Sequence, residues 1–217
     1  MGYDAVLFDH DGVLVEVTTQ ATHLDGARAA FEAVGVGDPD EADVEALSIG
    51  VTPDQLHEVC GRYDVDPTVF WYHRDQITAN GQYEEMRAGQ KTPYTDLDAL
   101  GDLSVPLGVV SSNQRATVAF SLAYFDLEGH FETMEARDPT VDSLRRKKPE
   151  PYYVERALVD LDATDALFVG DSESDVIAAE RAGIDSAFIR RPHRADTGLS
   201  VTPDYEIDGL DELPELL

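Results

Sequence analysis

Two aspartates separated by one residue follow a short apolar stretch near the start of the chain, in the sequence VLFDHDGVL at residues 6–14. Asp9 and Asp11 would lie close together at the point where a buried strand ends. Such a carboxylate pair is unfavourable unless a cation, a shared proton or a reaction makes use of it. The pattern therefore indicates a chemical site.

Two further polar clusters each come directly after an apolar, strand-like stretch; they are Ser111-Ser112-Asn113 and Gly170-Asp171-Ser172. The carboxyl ends of parallel strands meet at one edge of a sheet, where α/β proteins bind ligands. We therefore expect both clusters to converge on the paired aspartates.

The side chains expected at this edge favour a hard cation and an anionic ligand. Carboxylates from Asp9, Asp11 and Asp171, without histidine or cysteine among them, suit Mg²⁺, and a Mg²⁺ site commonly holds substrate phosphate. Asp175 is a further candidate, although it could instead cap the helix that begins there. Lys148 lies in the one basic run of the sequence, RRKKP, and would pair with a phosphoryl oxygen.

The pattern of secondary structure predicts two parts. Short apolar strands alternate with helices after residue 105, which is typical of a parallel sheet covered on both faces. Residues 17–89 show helical periods and no convincing strand. The sequence thus predicts an α/β fold with a three-layer, Rossmann-like core of residues 1–16 and 90–217, and an inserted helical cap domain of residues 17–89.

The chain is strongly acidic, with 44 Asp and Glu against 16 Lys and Arg and a net charge of −28. The acids are spread along the whole chain, as in cytosolic proteins of salt-loving microbes, and we expect a halophilic archaeal origin. Nucleic acid and anionic membranes require basic patches, so neither is an expected partner. A single cysteine, Cys60, and the lack of a secretory signal or a membrane span favour a cytoplasmic protein. A monomer or a homodimer fits equally well.

Four motifs in order give the chain its resemblance to phosphatases of the haloacid dehalogenase superfamily. They are Asp9-His10-Asp11-Gly12-Val13, Val109-Val110-Ser111-Ser112-Asn113, Lys148-Pro149-Glu150-Pro151 and the GDxxxD segment Gly170–Asp175. The chain is similar to the phosphoglycolate phosphatase and β-phosphoglucomutase subgroup with a helical cap. Any one motif is weak, but four in order, each after the expected element, are specific.

The resemblance implies a role for each motif. Asp9 is the implied nucleophile, forming an aspartyl-phosphate. Asp11 is the implied acid and base, protonating the leaving oxygen and then deprotonating water. The metal would be held by Asp9, the backbone carbonyl of Asp11 and the Asp171 carboxylate. Ser111 and Lys148 would bind the phosphoryl group, with Ser112 and Asn113 beside them, and Asp175 would orient the metal site or the lysine.

Several assignments stay open at this stage. Ser112 could replace Ser111, Lys147 could replace Lys148, and His10 is expected to offer only its backbone N–H. In the cap, the run FWYHR at residues 70–74 could bind substrate through Arg74 or form the core of the cap. The segment from Lys91 to Asp96 departs from the Pro-Gly turn of many relatives, which weakens any transfer of their substrate.

The implied function is a Mg²⁺-dependent phosphatase of a small phosphorylated metabolite. Two alternatives remain: a mutase of the β-phosphoglucomutase type, which would retain the phosphoryl group, and a module that binds phosphate without turnover.

Overall fold

The computed structural model describes residues 2–217, and its centre is a six-stranded sheet whose paired strands all run parallel. The sheet order is β3-β2-β1-β4-β5-β6. The strands are β1 (Ala5–Phe8), β2 (Leu107–Gln114), β3 (Thr133–Arg137), β4 (Ala166–Gly170), β5 (Asp185–Ile189) and β6 (Tyr205–Ile207).

Strand β1 lies in the middle of the sheet, between β2 and β4. Phe8 is in register with Val109 on one side and with Val169 on the other, so the residues that follow these three positions lie at the same edge of the sheet. Every residue of β1 is fully buried, because both faces of the sheet are covered. A strand buried on both faces reads as a continuous apolar run, which is how it was recognisable.

Helices pack on both faces of the sheet and bury two hydrophobic clusters. On one face Val6 and Phe8 pack with Val118 and Leu122 of α5 (Arg115–Tyr124). On the other face Ala5 and Leu7 pack with α6 (Tyr152–Asp160) and α7 (Glu173–Ala182). The expected three-layer α/β fold is thus confirmed.

Four helices occupy the stretch between β1 and β2: α1 (Gln20–Ala33), α2 (Glu41–Ala46), α3 (Pro53–Arg62) and α4 (Pro67–Arg87). Thr52 and Asp66 cap α3 and α4, each with proline at the first helical position, as the sequence predicts. No strand interrupts residues 20–87.

The four helices bury apolar side chains among themselves. Phe31 of α1 packs edge-on against Phe70 of α4, with their ring centroids 4.7 Å apart. Leu144, which lies beyond β3, joins the same cluster. The helical insert therefore has its own apolar interior and also contacts the sheet-bearing part. The domain boundaries at residues 17 and 89 stay a prediction.

Three elements differ from the sequence prediction. The sequence pattern predicts a helix over residues 67–79 and a strand over residues 105–110, but helix α4 runs on to Arg87 and β2 spans Leu107–Gln114. The final segment forms a 3₁₀-helix, Leu210–Glu215, where an ordinary helix was expected; Pro214 within it cannot donate a backbone hydrogen bond. No helix of residues 2–217 is long and apolar enough to cross a membrane.

Candidate active site

The carboxyl ends of β1, β2 and β4 meet at one cavity of about 400 Å³. Its lining includes nearly every side chain that the sequence analysis singled out, namely Asp9, Asp11, Arg74, Ser111, Ser112, Asn113, Lys148, Asp171 and Asp175. The residues carried by β1, β2 and β4 come together because these strands are neighbours and are in register at this edge of the sheet.

Lys148 lies between two carboxylates at the floor of the cavity. Its Nζ is 2.7 Å from Asp9 Oδ1 and 2.6 Å from Asp175 Oδ1, and it also donates to the Val110 carbonyl at 3.3 Å. Burial opposes the charge on Lys148, but Asp175 and Asp9 outweigh it and raise the pKa of the lysine. Lys148 is therefore a permanently charged partner for Asp9.

Asp9 is buried in a crowd of negative charge. Burial raises the pKa of Asp9 well above its usual range, Asp175 and Asp171 add to that rise, and Lys148 opposes it. The carboxylates of Asp9, Asp171 and Asp175 have ligand oxygens within 4.8 Å of one another. Three carboxylates with one lysine leave an excess of negative charge, and an all-oxygen donor set of this kind fits Mg²⁺.

The structure brings Asp175 into this group, but it also ties its carboxylate to other partners. Asp175 Oδ2 accepts from the backbone N–H of Ser172 at 3.0 Å and from its hydroxyl at 2.7 Å, so Asp175 also caps α7. Both roles weighed from the sequence, orienting Lys148 and capping the helix, are thus geometrically compatible.

Asp171 contacts a loop that follows β5. Its Oδ2 is 2.7 Å from His193 Nε2 and 3.1 Å from Arg194 Nε. Gly12, with a φ of +83°, also approaches so closely that an added Cβ would overlap the same oxygen. Glycine is required there both for the backbone conformation and for the space.

Asp11 faces away from Lys148 and contacts another lysine. Lys91 Nζ forms an ion pair with Asp11 Oδ1, and Asn113 Nδ2 donates to Asp11 Oδ2 at 2.7 Å. Burial would raise the pKa of Asp11, but Lys91 and His10 more than offset it and hold that pKa well below its usual range. Asp11 is thus anchored on two sides.

The serines after β2 have different neighbours. Ser111 is buried, and its Oγ accepts from the Asn113 backbone N–H at 3.1 Å. Ser112 Oγ accepts from the Lys148 backbone N–H at 3.2 Å, so it helps to hold the lysine segment. The backbone N–H of His10 donates to Asp9 Oδ1 at 2.7 Å, and its ring is fully buried.

The run at residues 70–74 contains residues that fit each of the two interpretations, substrate binding and the core of the cap. Phe70 and Trp71 are buried in the apolar interior of the helical insert, whereas Tyr72 is half exposed. Arg74 is buried, lines the cavity and donates to the Leu47 carbonyl at 3.3 Å. The structure thus places Arg74 and Trp71 at the cavity wall and Phe70 in the interior of the insert.

Sequence analysis did not assign several side chains that reach the cavity or its carboxylates: Lys91, Arg137, His193 and Arg194, together with Lys147, considered only as a rival to Lys148. Lys91 carried one usable signal, since it is one of three lysines in a very acidic chain. The arginines carried none, because nothing local shows which residues a loop or strand end will face.

Comparison with known proteins gives the family. The sequence model of the protein family described as haloacid dehalogenase-like hydrolase matches residues 6–189. The chain therefore belongs to the haloacid dehalogenase-like hydrolase family and is an enzyme of that hydrolase class, as its four motifs predicted.

The individual relatives have low sequence identity to this chain. The chain is 31% identical over 163 residues to the plasmid phosphoglycolate phosphatase of Cupriavidus necator, an alignment covering 74% of this chain and 68% of that protein. It is 24% identical over 223 residues to the pyrophosphatase PpaX of Bacillus cereus, covering 100% of this chain and 97% of the relative. The crystal structure of CbbY from Rhodobacter sphaeroides in complex with phosphate shares the fold, with a TM-score of 0.70, 22% identity and coverage of 97% and 96%.

Proposed function

We propose that this hydrolase is a Mg²⁺-dependent phosphatase of a small phosphorylated metabolite and works through an aspartyl-phosphate on Asp9. The observation that carries the proposal is the placement of Asp9 at the cavity floor, 2.7 Å from Lys148 Nζ and within 4.8 Å of the Asp171 and Asp175 oxygens. Relatives that act on phosphate compounds, a phosphoglycolate phosphatase and a pyrophosphatase, support it.

In the first half of the reaction Asp9 attacks phosphorus. A bond forms between its carboxylate oxygen and phosphorus while the bond from phosphorus to the ester oxygen breaks. Asp11 must first take up a proton, against the effect of Lys91 on its pKa, and then donates it to the departing oxygen, which leaves as an alcohol. Lys148 and the Ser111 hydroxyl bind the phosphoryl oxygens, since phosphoryl transfer depends mainly on positioning and charge stabilisation.

In the second half water attacks the phosphorus of the acyl phosphate. Asp11, now a carboxylate, accepts a proton from that water, inorganic phosphate forms, and Asp9 is regenerated. Asp9 and Asp171, with the backbone carbonyl of Asp11, would hold Mg²⁺, with Asp175 beside them. When bound, the ion supplies positive charge that stabilises the phosphoryl oxygens.

The helical insert, residues 17–89, would act as the cap of this site. Its Arg74 and Trp71 line the same cavity as Asp9, so a ligand bound at Asp9 lies between the insert and the sheet. Enclosure of this kind excludes water from the reacting phosphoryl group. Arg74 is the substrate-binding residue that we assign to the insert.

The acidic surface points to a salt-rich environment, and we extend the proposal to a halophilic source. A net charge of −28 on 217 residues repels itself strongly in dilute buffer. Concentrated salt screens that repulsion. Activity should accordingly be higher in molar KCl than in dilute buffer.

The test is phosphate release from p-nitrophenyl phosphate and from a panel of phosphorylated metabolites, with and without Mg²⁺, in molar KCl. The matched variants are Asp9→Asn, which keeps the shape of the side chain, and Asp98→Asn at an exposed position. We expect Mg²⁺-dependent release by wild type and Asp98→Asn, and none by folded Asp9→Asn. Release by Asp9→Asn would refute the mechanism. Phosphate binding without release would favour a sensor, and dependence on a bisphosphate primer would favour a mutase.

A further inference from the structure

A second group of cations lines the cavity away from Asp9. Arg74 of α4, Arg137 at the end of β3 and Lys147 from the loop before α6 all face this space. Arg74 and Arg137 are 5% and 3% exposed, so neither is an ordinary solvated surface cation. None of the three contacts Asp9, whose lysine partner is Lys148.

The negative charge near this group does not balance it. Asp75 is the one carboxylate within ion-pair distance of these three side chains in residues 2–217. It accepts from Arg137 at 2.6 Å and 2.9 Å, a bidentate pair, and its contact with Arg74 is longer at 3.4 Å. Three cations and one carboxylate leave two positive charges, which burial makes costly unless an anion completes the set.

Lys147 is the member with donors to spare. Its ammonium group has three N–H donors, and one goes to the Val51 carbonyl at 2.6 Å. Burial, together with the charges of Arg137 and Arg74, lowers the pKa of Lys147 to about 8. Burial makes the larger contribution to this lowering of the pKa, and the two arginines add to it more than Asp75 opposes it.

The ring of Trp71 belongs to the same wall. The guanidinium carbons of Arg74 and Arg137 each lie 5.0 Å from the centroid of its ring, which suits the cations to its faces. Trp71 is 2% exposed and lines the cavity, so the ring and the two guanidinium groups form one buried surface.

We propose that Lys147, Arg74 and Arg137 form a subsite for a second anionic group of the substrate. The substrate is then a small phosphate compound that carries a carboxylate or another phosphate besides the phosphoryl group bound at Asp9. This inference rests on the proposed phosphatase function and narrows its substrate class. A cavity of about 400 Å³ has room for more than one phosphate.

A purely structural role accounts for only part of the group. The Arg137–Asp75 pair ties β3 to α4 and needs one cation for its one carboxylate. It does not account for Lys147, which is in no ion pair among the described residues. A second anion of the substrate would pair with it.

The experiment compares matched substrates that differ only in the second charge. One pair is 2-phosphoglycolate and 2-hydroxyethyl phosphate, and the other is glucose 1,6-bisphosphate and glucose 1-phosphate. The first pair tests a carboxylate and the second a phosphate. We expect wild type to prefer, in at least one pair, the member with the second anionic group. The preference should be about tenfold or more in kcat/KM, since a buried charge-assisted contact is strong.

Substitution of Lys147 identifies the subsite. We expect Lys147→Met to raise KM about tenfold for the preferred substrate that carries a second anionic group. The KM of its matched substrate without that group should stay within about twofold of the wild-type value. Lys147→Arg should retain most of the preference. The matched control is Arg145→Met, which removes an exposed cation two residues away and leaves both substrates unaffected.

Two outcomes would overturn the subsite. Wild type could hydrolyse both members of each pair equally well, or Lys147→Met could weaken both members to the same degree. Failure of the phosphatase function itself would look different, since no substrate, including p-nitrophenyl phosphate, would release phosphate. In that case binding of the same pairs would be measured by calorimetry. Binding of only the member with the second anionic group would still support the subsite, and any other result would refute it.

Discussion

Lys91 and Asp11 are 80 positions apart in sequence and form an ion pair in the structure. Lys91 is fully buried, and it also donates to Thr18 Oγ1 at 2.8 Å and Gln82 Oε1 at 3.1 Å. Lys91 lies just after the helical insert of residues 17–89, so the ion pair connects the end of the insert to the proposed acid and base. Lys91 is a positioning residue, because it acts through Asp11 and not on the substrate.

Loss of Lys91 should impair the step that needs Asp11 in place. We expect Lys91→Met to reduce kcat for an alkyl phosphate such as 2-hydroxyethyl phosphate about tenfold or more, because a positioned acid contributes about 10²–10⁴ in rate. Loss of the cation also raises the pKa of Asp11 and so favours its protonated form, but the loss of position outweighs that gain. p-Nitrophenyl phosphate, whose leaving group needs no proton, should lose much less. Both kcat values are measured by phosphate release.

The control for that variant is Arg87→Met, which removes an exposed cation at the end of α4. It should leave both substrates unchanged. An equal loss for alkyl and aryl phosphates in Lys91→Met would show that Lys91 has no specific link to the acid step.

Gly12 provides a test of the close approach to Asp171. An added Cβ would overlap Asp171 Oδ2, and the φ of +83° is strained for any other residue. We expect Gly12→Ala to lower kcat/KM about 10²-fold, since small displacements of a reacting site are costly. Gly35→Ala is the matched control, because Gly35 has a φ of +88° and open space around it. If both variants lose only stability, Gly12 does not act through Asp171.

The lowered pKa of Lys147 predicts a pH dependence. With a pKa of about 8, the Lys147 ammonium is charged at lower pH and loses its charge at higher pH. Binding of a second anion therefore weakens as pH rises. The charged groups that face it are Arg74 and Asp75 from α4 and Arg137 from β3. Burial lowers the pKa of Arg74 to about 10, which is still above the pH range of the test. We expect KM for the preferred substrate with a second anionic group to rise roughly tenfold between about pH 7 and pH 9.

The variant Lys147→Arg separates this effect from other titrations, because arginine keeps its charge over the whole range. Its KM should be nearly flat between the same two pH values. A rise in KM as steep as that of wild type would assign the pH dependence to another group.

His23 predicts a loss of stability in acid. Burial, with a contribution from Arg74, lowers the pKa of His23 to about 4 from its ordinary value of 6.5. The unfolded chain therefore binds a proton that the folded chain does not between these values, and the free energy of unfolding falls as pH decreases through 6.5 toward 4. The contribution lost by about pH 5 is roughly 2 kcal/mol.

Urea unfolding of wild type, His23→Gln and an exposed control, His130→Gln, measures this contribution. The decrease in the free energy of unfolding on acidification should be smaller in His23→Gln by roughly that amount. The carboxylates contribute equally to all three proteins and cancel. Identical decreases in wild type and His23→Gln would show that His23 is not held neutral.

The sequence alone determined the layers of the fold and the floor of the cavity. Apolar strands that end in Asp9, Ser111 and Asp171 predict their own convergence, since parallel strands in one sheet end at a common edge. Local signals also marked the helix starts at Pro53 and Pro67, because caps and prolines act within a few residues.

Tertiary structure alone decided which distant side chains surround that floor. Lys91 reaches Asp11, and Arg137 reaches Asp75 of α4, across long stretches of chain. No local pattern encodes such contacts, because they depend on how the helical insert seats against the sheet. The charge balance of the cavity wall, and with it the proposed preference for a second anion, follows from that packing.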